Sequence, residues 1–353
     1  MAIAAMLLLG CASLAPAQTG WGLAVQDGAF TFTDLTRGRI ARVESDGRLR
    51  VLIPDVHCHN LAPGYDGFIY GESVGTNRGG MGDVLGVWRL PPSGELEWVQ
   101  PPAASPADGA WIARDAAGNT YGWRAEGIEW RIVRRAPDGS ATLSMGRGGE
   151  FANVGGLAVS RAGVLYALDS GDLRRMAADG GVTTLARGIA SGRTGGIPGR
   201  QDLFNHSVGL AVAEIGGQET VLVVDHYNHR VVAWNERDGA RVLWSTSSRL
   251  VRLTNGGLGW QVTGVSVEGG AVYVLEALAG PAIVADVVGS PRIRRVGADG
   301  RSTIVAHVAS APVRAAAGTL AFGVVGLVLY LGLRRKWRQR RRTPHQMRMG
   351  MTT

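Results

Sequence analysis

Six polar residues recur at one place in this 353-residue chain. Thr19, His57, Asp108, Asn153, His206 and Gln261 stand four residues before Leu23, Leu61, Ile112, Leu157, Leu210 and Val265, respectively. Each of the latter lies in a short apolar run. Two imidazoles, a carboxylate and two carboxamides drawn together could hold a divalent cation. They could equally hydrogen-bond a small polar ligand, or simply solvate strand ends whose backbone groups need partners. For a cation, His57 with His206 favours Zn or Mn over Ca, because Ca prefers all-oxygen shells. His57 and His59 flank Cys58, and strand alternation puts both imidazoles on one face. His226 and His229 fall near a hairpin turn and read as structural. No His-Glu-x-x-His or phosphate loop is present.

The elements that must position this ring repeat along the chain. The apolar runs are GLAVQ (22–26), NLAPG (60–64), AWIAR (110–114), GLAVS (156–160), GLAVA (209–213) and GVSVE (264–268). Each is followed by a second run: FTFTD (30–34), FIYGE (68–72), NTYGW (119–123), VLYAL (164–168), VLVVD (221–225) and AVYVL (271–275). Turns follow at Asp46-Gly47, Ser93-Gly94, Asp138-Gly139, Asp179-Gly180, Asp238-Gly239 and Asp299-Gly300. A period of tens of residues built from short strands and tight turns predicts an all-β, six-bladed propeller over 18–310. The opening run of each unit is expected to line the central channel with both faces covered. The Asp-Gly pairs are expected to form two-residue hairpins with positive φ. Blades 2 and 6 carry insertions at Gly75–Gly86 and Ala277–Ser290, and a Gly-rich loop spans Ala186–Gln201. Long loops on a rigid scaffold commonly carry binding residues.

Phe204-Asn205-His206 before Gly209-Leu210-Ala211-Val212, followed by Asp225 and Asn228-His229-Arg230-Val231, resembles the NHL repeat. That resemblance implies a six-bladed propeller and leaves function open, because the architecture hosts lyases, lactonases, receptors and scaffolds. Peptidyl-hydroxyglycine amidating lyases are similar at the NHL level and use three His ligands with a Tyr. Here only His57 and His206 occupy the aligned positions. The gluconolactonase and regucalcin family is also similar and binds its metal with a Glu, Asn residues and an Asp. Asn153 and Asp108 match that set, while Glu72 and Glu276 lie at the ends of second runs instead.

The chain ends carry their own signals. Residues 334–353 hold eight of the 37 Lys and Arg residues and no acid, which leaves 29 bases against 29 acids elsewhere. The body is therefore neutral, and a nucleic-acid partner is not expected. Ala315–Leu333 is apolar apart from Thr319 and Tyr330. As a helix it would be about 28 Å long, enough to span a bilayer core. The basic residues behind it place the tail, 334–353, in the cytoplasm. Residues 1–17 read as a signal peptide ending at Ala15-Pro16-Ala17, although Leu8-Leu9-Gly10-Cys11 resembles a lipobox with Cys11 as the lipidated residue. Cys11 and Cys58 are the only cysteines, so cleavage after Ala17 would leave no intrachain disulfide.

The expected protein is a single-pass type I membrane protein with a periplasmic or extracellular propeller that binds a ligand or protein partner. The alternative is a metal-dependent lactonase- or lyase-like enzyme with His57, Asp108, Asn153, His206 and Gln261 at the channel mouth. A cation held by this ring would raise the melting temperature when Zn or Mn is titrated in. The rise should be smaller in a His57→Ala, His206→Ala double variant, and should shrink as pH falls through roughly 6.5, where imidazole protonates. Equal shifts in the two proteins would leave the ring as ordinary channel solvation.

Overall fold

The computed structural model describes residues 21–54, 61–74, 84–92, 94–100, 113–126, 129–139, 142–146, 150–151, 154–177, 179–189, 209–246, 259–279 and 290–308. They form six four-stranded antiparallel sheets, each made from four consecutive strands. Blade 1 is β1 (Trp21–Gln26), β2 (Ala29–Asp34), β3 (Arg39–Val43) and β4 (Leu49–Ile53). Blade 2 is β5 (Leu61–Pro63), β6 (Ile69–Val74), β7 (Val84–Leu90) and β8 (Glu97–Gln100). Blade 3 is β9 (Ala113–Arg114), β10 (Thr120–Glu126), β11 (Glu129–Arg135) and β12 (Thr142–Met145). Blade 4 is β13 (Val154–Val159), β14 (Leu165–Asp169), β15 (Asp172–Met176) and β16 (Val182–Ala186). Blade 5 is β17 (Leu210–Ile215), β18 (Gln218–Asp225), β19 (Arg230–Asn235) and β20 (Gly239–Ser245). Blade 6 is β21 (Gly259–Glu268), β22 (Ala271–Ala279), β23 (Arg292–Val296) and β24 (Ser302–His307). This is the six-bladed propeller expected from the repeats.

The hydrophobic core is divided into clusters that each lie between two neighbouring blades. Leu222, Val231, Val262 and Val274 join blades 5 and 6, and Leu168, Leu173, Val221 and Val232 join blades 4 and 5. Tyr121, Ile132, Phe151 and Leu165 join blades 3 and 4. Ala24, Ile40, Ile69 and Trp88 join blades 1 and 2, and a small group of Tyr70, Val87 and Val133 joins blades 2 and 3. Phe30 and Phe32 of blade 1 pack against Leu275 and Ile293 of blade 6, which closes the ring. Among the described residues no strand is shared across that seam. It is held by this apolar contact and by side chains: Val25 N–H donates to Ser266 Oγ at 3.2 Å, and Gly28 N–H to Glu268 Oε2 at 3.2 Å. A Cβ on Gly264 would lie 3.0 Å from the backbone of Gly22 and Leu23, so the two inner strands meet closely only because Gly264 lacks one.

Three expectations need correction. The Asp-Gly pairs are not two-residue hairpins. At Asp46-Gly47 only the glycine has positive φ, 82°. Gly47 N–H donates to Glu44 O at 2.8 Å, Glu44 N–H to Arg48 O at 2.9 Å, and the Asp46 carboxylate accepts Arg48 N–H at 2.9 Å. This is a type I turn closed by a left-handed glycine, and the aspartate serves as a side-chain cap. Two-residue turns with positive φ at both positions lie instead at Asp27-Gly28, Ser170-Gly171, Gly216-Gly217 and Gly269-Gly270. Second, the inner strands are not covered on both faces throughout. Leu23, Ala24 and Val25 are buried, but Leu61, Ala62, Leu157 and Leu210 are half-buried because one side opens on the channel. Third, the insertions of blades 2 and 6 begin or end as strand. Ala277–Ala279 extends β22 opposite Gly259–Gln261, and Val84 and Gly86 pair with Val74 and Ser73. The signal segment, the apolar run 315–333 and the basic tail lie outside the described residues, among which no helix is long and apolar enough to cross a membrane.

Trp88 shows how tightly the blade 1–2 interface depends on one pair. Its side chain is fully buried, and it stands opposite Gly71 in the β6–β7 ladder. A methyl group on Gly71 would overlap the indole ring. Trp88→Ala should cost about 3–5 kcal/mol through the cavity it leaves. Gly71→Ala should lower stability by overpacking, by about 1–3 kcal/mol. Chemical denaturation of both variants checks this; a Gly71→Ala protein as stable as wild type would show that the indole is free to move.

Candidate functional site

The central channel has two mouths, one where the inner strands begin and one where they end. The residues singled out from sequence are expected at the first. His57, Asp108, Asn153 and His206 lie outside the described residues. Gln261 is described, and its place differs from the expectation. It is the third residue of β21, paired with Ala277, and not a residue leading into the strand. The strand begins early because β22 runs on past Glu276 and supplies a partner. Among the described residues no three His, Cys, Asp or Glu side chains are grouped to hold a metal ion.

The described chemistry at this end is a set of buried carboxylates, one per blade in four blades. Asp34, Asp169, Asp225 and Glu276 occupy equivalent places on the second strand, the last residue of it in blades 1, 4 and 5, and are at most 1% exposed. Each is met by arginine from the following turn or third strand. Arg37 and Arg39 reach Asp34 at 2.8 and 3.1 Å, Arg174 reaches Asp169 at 2.9 Å, and Arg230 reaches Asp225 at 2.7 Å. Glu276 accepts from both Arg292, at 2.6 Å, and Arg294. A carboxylate taken out of water must find such partners. In blades 1 and 5 the intervening residues form the same short 3-10 turn ending in a left-handed residue, Gly38 in DLTRGR (34–39) and His229 in DHYNHR (225–230). These acids therefore act as internal fastenings of their blades.

His226 and His229 sit beside one of these fastenings. His226 Nδ1 is 2.7 Å from the Val262 carbonyl oxygen on the inner strand of blade 6, so it ties blade 5 to blade 6. Burial lowers its affinity for a proton, opposed by the Val262 bond and by Asp225. His229 has φ 53° and lies 6.4 Å from the His226 ring, edge to face. Burial, then the neighbouring His226, push its pKa down to about 4. The structure supports the structural reading of both.

The second mouth is where the inner strands end. All six blades line a cavity of about 350 Å³ here. Its waist is apolar, with Leu61, Leu157, Leu210 and Val265. Its rim is polar, with Gln26, Tyr65, Arg114, Arg161, Ser266 and Glu268. Tyr65, in the turn after β5 of blade 2, donates its hydroxyl to Val159 O of blade 4 at 2.9 Å, and so lies across the rim past blade 3. Burial raises the Tyr65 pKa, with Arg161 opposing. Arg161 lies over the Tyr65 ring at 5.4 Å, and Arg114 over the Tyr70 ring at 4.9 Å. Nearby, Asp115 accepts the Tyr121 hydroxyl at 2.9 Å; burial and that bond push the Tyr121 pKa up to about 12. None of these rim residues was singled out from sequence. The available signal was weak: several inner strands end in, or just before, a polar residue.

No protein-family model matches the sequence, and no curated protein does. Solved structures do resemble the fold. A protein of unknown function from Bacteroides thetaiotaomicron is 12% identical, with 74% of this chain and 68% of that chain covered and a TM-score of 0.50. A streptogramin B lyase is 13% identical, with 83% and 84% covered and a TM-score of 0.49. A regucalcin from Agrobacterium tumefaciens, described as calcium-binding, is 13% identical, with 74% and 83% covered and a TM-score of 0.47. At these identities the likeness is one of fold and says nothing of activity.

The two histidines make stability depend on pH in a definite direction. The unfolded chain takes up a proton on each near pH 6.5, whereas folded His229 does so only near pH 4. Their contribution is whole above pH 6.5 and is lost as pH falls from there toward 4. Wild type should therefore lose more melting temperature between pH 7.5 and 4.5 than His229→Asn, in which asparagine suits the left-handed backbone. Equal losses would show that His229 is solvated and titrates normally.

Proposed function

We propose that this chain is an extracytoplasmic binding propeller, held at the membrane by residues 315–333 with its basic tail in the cytoplasm. Its propeller, periplasmic or extracellular, binds a ligand or a protein partner. The observation that carries the binding part is the channel. It is lined from all six blades, has an apolar waist and a polar rim, and encloses about 350 Å³, within the range of small-molecule sites. The chain ends carry the tethering part: an apolar stretch long enough to span a bilayer, with eight bases and no acid behind it. The buried acids described above already serve arginine side chains, so they support a scaffold that presents a site.

Protease added to intact cells with a permeabilised outer membrane should digest the propeller and spare an epitope placed after Arg342. A protected propeller with a cleaved tail epitope would overturn the topology. Elemental analysis of the purified protein separates the binding reading from the metal-dependent lactonase- or lyase-like alternative, which requires stoichiometric Zn, Mn or Ca.

A further inference from the structure

We infer that the mouth at which the inner strands end is a binding site for a small organic anion with an apolar body, and that Arg114 and Arg161 recognise the charge. The inference rests on the binding-propeller reading and names the end of the channel and the ligand class.

Most arginines elsewhere in the described molecule pair with acids. At the other mouth, Arg39, Arg174, Arg230 and Arg292 each close on a buried carboxylate. On the surface, Arg48, Arg89, Arg175 and Arg301 pair with acids too. Arg114 and Arg161 do otherwise. Among the described residues they are the two arginines that line this cavity. Among the described residues neither has a carboxylate within ion-pair distance, and each rests on a tyrosine face instead. Arg114 also engages the Tyr70 hydroxyl; a guanidinium stacked on a ring directs its remaining N–H donors within its own plane, in the fork geometry that suits a carboxylate or phosphate.

The acids near the rim do not cancel these charges by direct pairing, because each has other donors. Asp115 accepts Asn119 N–H and Nδ2 at 2.8 Å and the Tyr121 hydroxyl at 2.9 Å. Asp66 accepts the Tyr70 hydroxyl at 2.6 Å and Phe68 N–H at 3.2 Å, Glu219 accepts the Tyr166 hydroxyl, and Glu268 accepts Gly28 N–H. Two donors of positive charge on adjacent blades thus stand over a cavity whose walls are leucine and valine. A bare inorganic anion would satisfy the guanidinium groups and leave the waist unused. An amphipathic anion uses both.

The test uses octanoate as the probe, with 1-octanol and octylammonium as neutral and cationic controls of the same chain length, and inorganic phosphate as the charge alone. Titration calorimetry of the full chain in a neutral detergent reads binding, with wild type compared to Arg114→Gln, Arg161→Gln and the double variant. Circular dichroism melting of each variant establishes that it is folded. Octanoate is expected to bind wild type more tightly than any control, and the double variant at least about tenfold more weakly. Unchanged octanoate affinity in a folded double variant overturns the inference. Equal affinity for octanol and octanoate also overturns it, while leaving a channel that binds ligands. Binding of phosphate as tight as octanoate overturns the role given to the apolar waist. If no probe binds, this site is not one for amphipathic anions; a propeller that binds a protein partner through its rim would still stand.

Discussion

Everything in this molecule depends on the fact that a blade has two apolar faces and can protect neither alone. Residues alternate along each strand, so one set of side chains meets the preceding blade and the other meets the following one. Phe32 faces blade 6 while Ile40 faces blade 2, and Val223 faces blade 4 while Val224 faces blade 6. Burial is then complete only when the sixth sheet meets the first. The channel is a by-product of that closure. Its size is set by how closely six inner strands can approach, and glycine at position 264 lets two of them come nearest.

The buried carboxylates solve a second problem that the ring creates. In blades 1, 4 and 5 the chain reverses into solvent between second and third strands, at Arg37, Ser170 and Asn228, shortly after a residue that is fully enclosed. An acid at 34, 169, 225 or 276 offers acceptors there, and arginine from the returning strand brings matching donors and its charge. The arginine heads remain partly exposed, between 15% and 32%, so the pairs keep some contact with solvent and avoid the full penalty of an enclosed ion pair. The same device in blades 1 and 5, with its 3-10 turn, marks the most regular repeats. Blades 2 and 6 give up that turn for longer connections.

Much of this was legible in the sequence, and the reasons differ by feature. Six units could be counted because inner and second strands carry the same side-chain pattern each time. Turn positions were visible from Asp-Gly pairs, but turn geometry was not, since Asp46 could either adopt positive φ or cap its neighbour and the residue letters do not decide. The carboxylate fastenings leave a spacing that can be read: Asp34 with Arg39, Asp169 with Arg174, and Asp225 with Arg230 are all five residues apart. The insertion in blade 6 hides the same pairing between Glu276 and Arg292. The aligned polar positions suggested a site where strands begin; of these the structure describes Gln261 alone. The opposite rim left only a weak trace. Apart from the two arginines, Gln26, Tyr65, Arg114, Arg161, Ser266 and Glu268 share no residue type, and only the closed ring brings them together.

The seam between blades 1 and 6 has a consequence for how the chain reaches this state. Each sheet is assembled from consecutive strands, so every ladder forms between near neighbours in sequence. The bond from Val25 to Ser266 spans 241 residues, and no backbone ladder assists it. Local order can thus be nearly complete while the molecule is still an open arc, and the slow, entropically costly step is a single docking of its two ends.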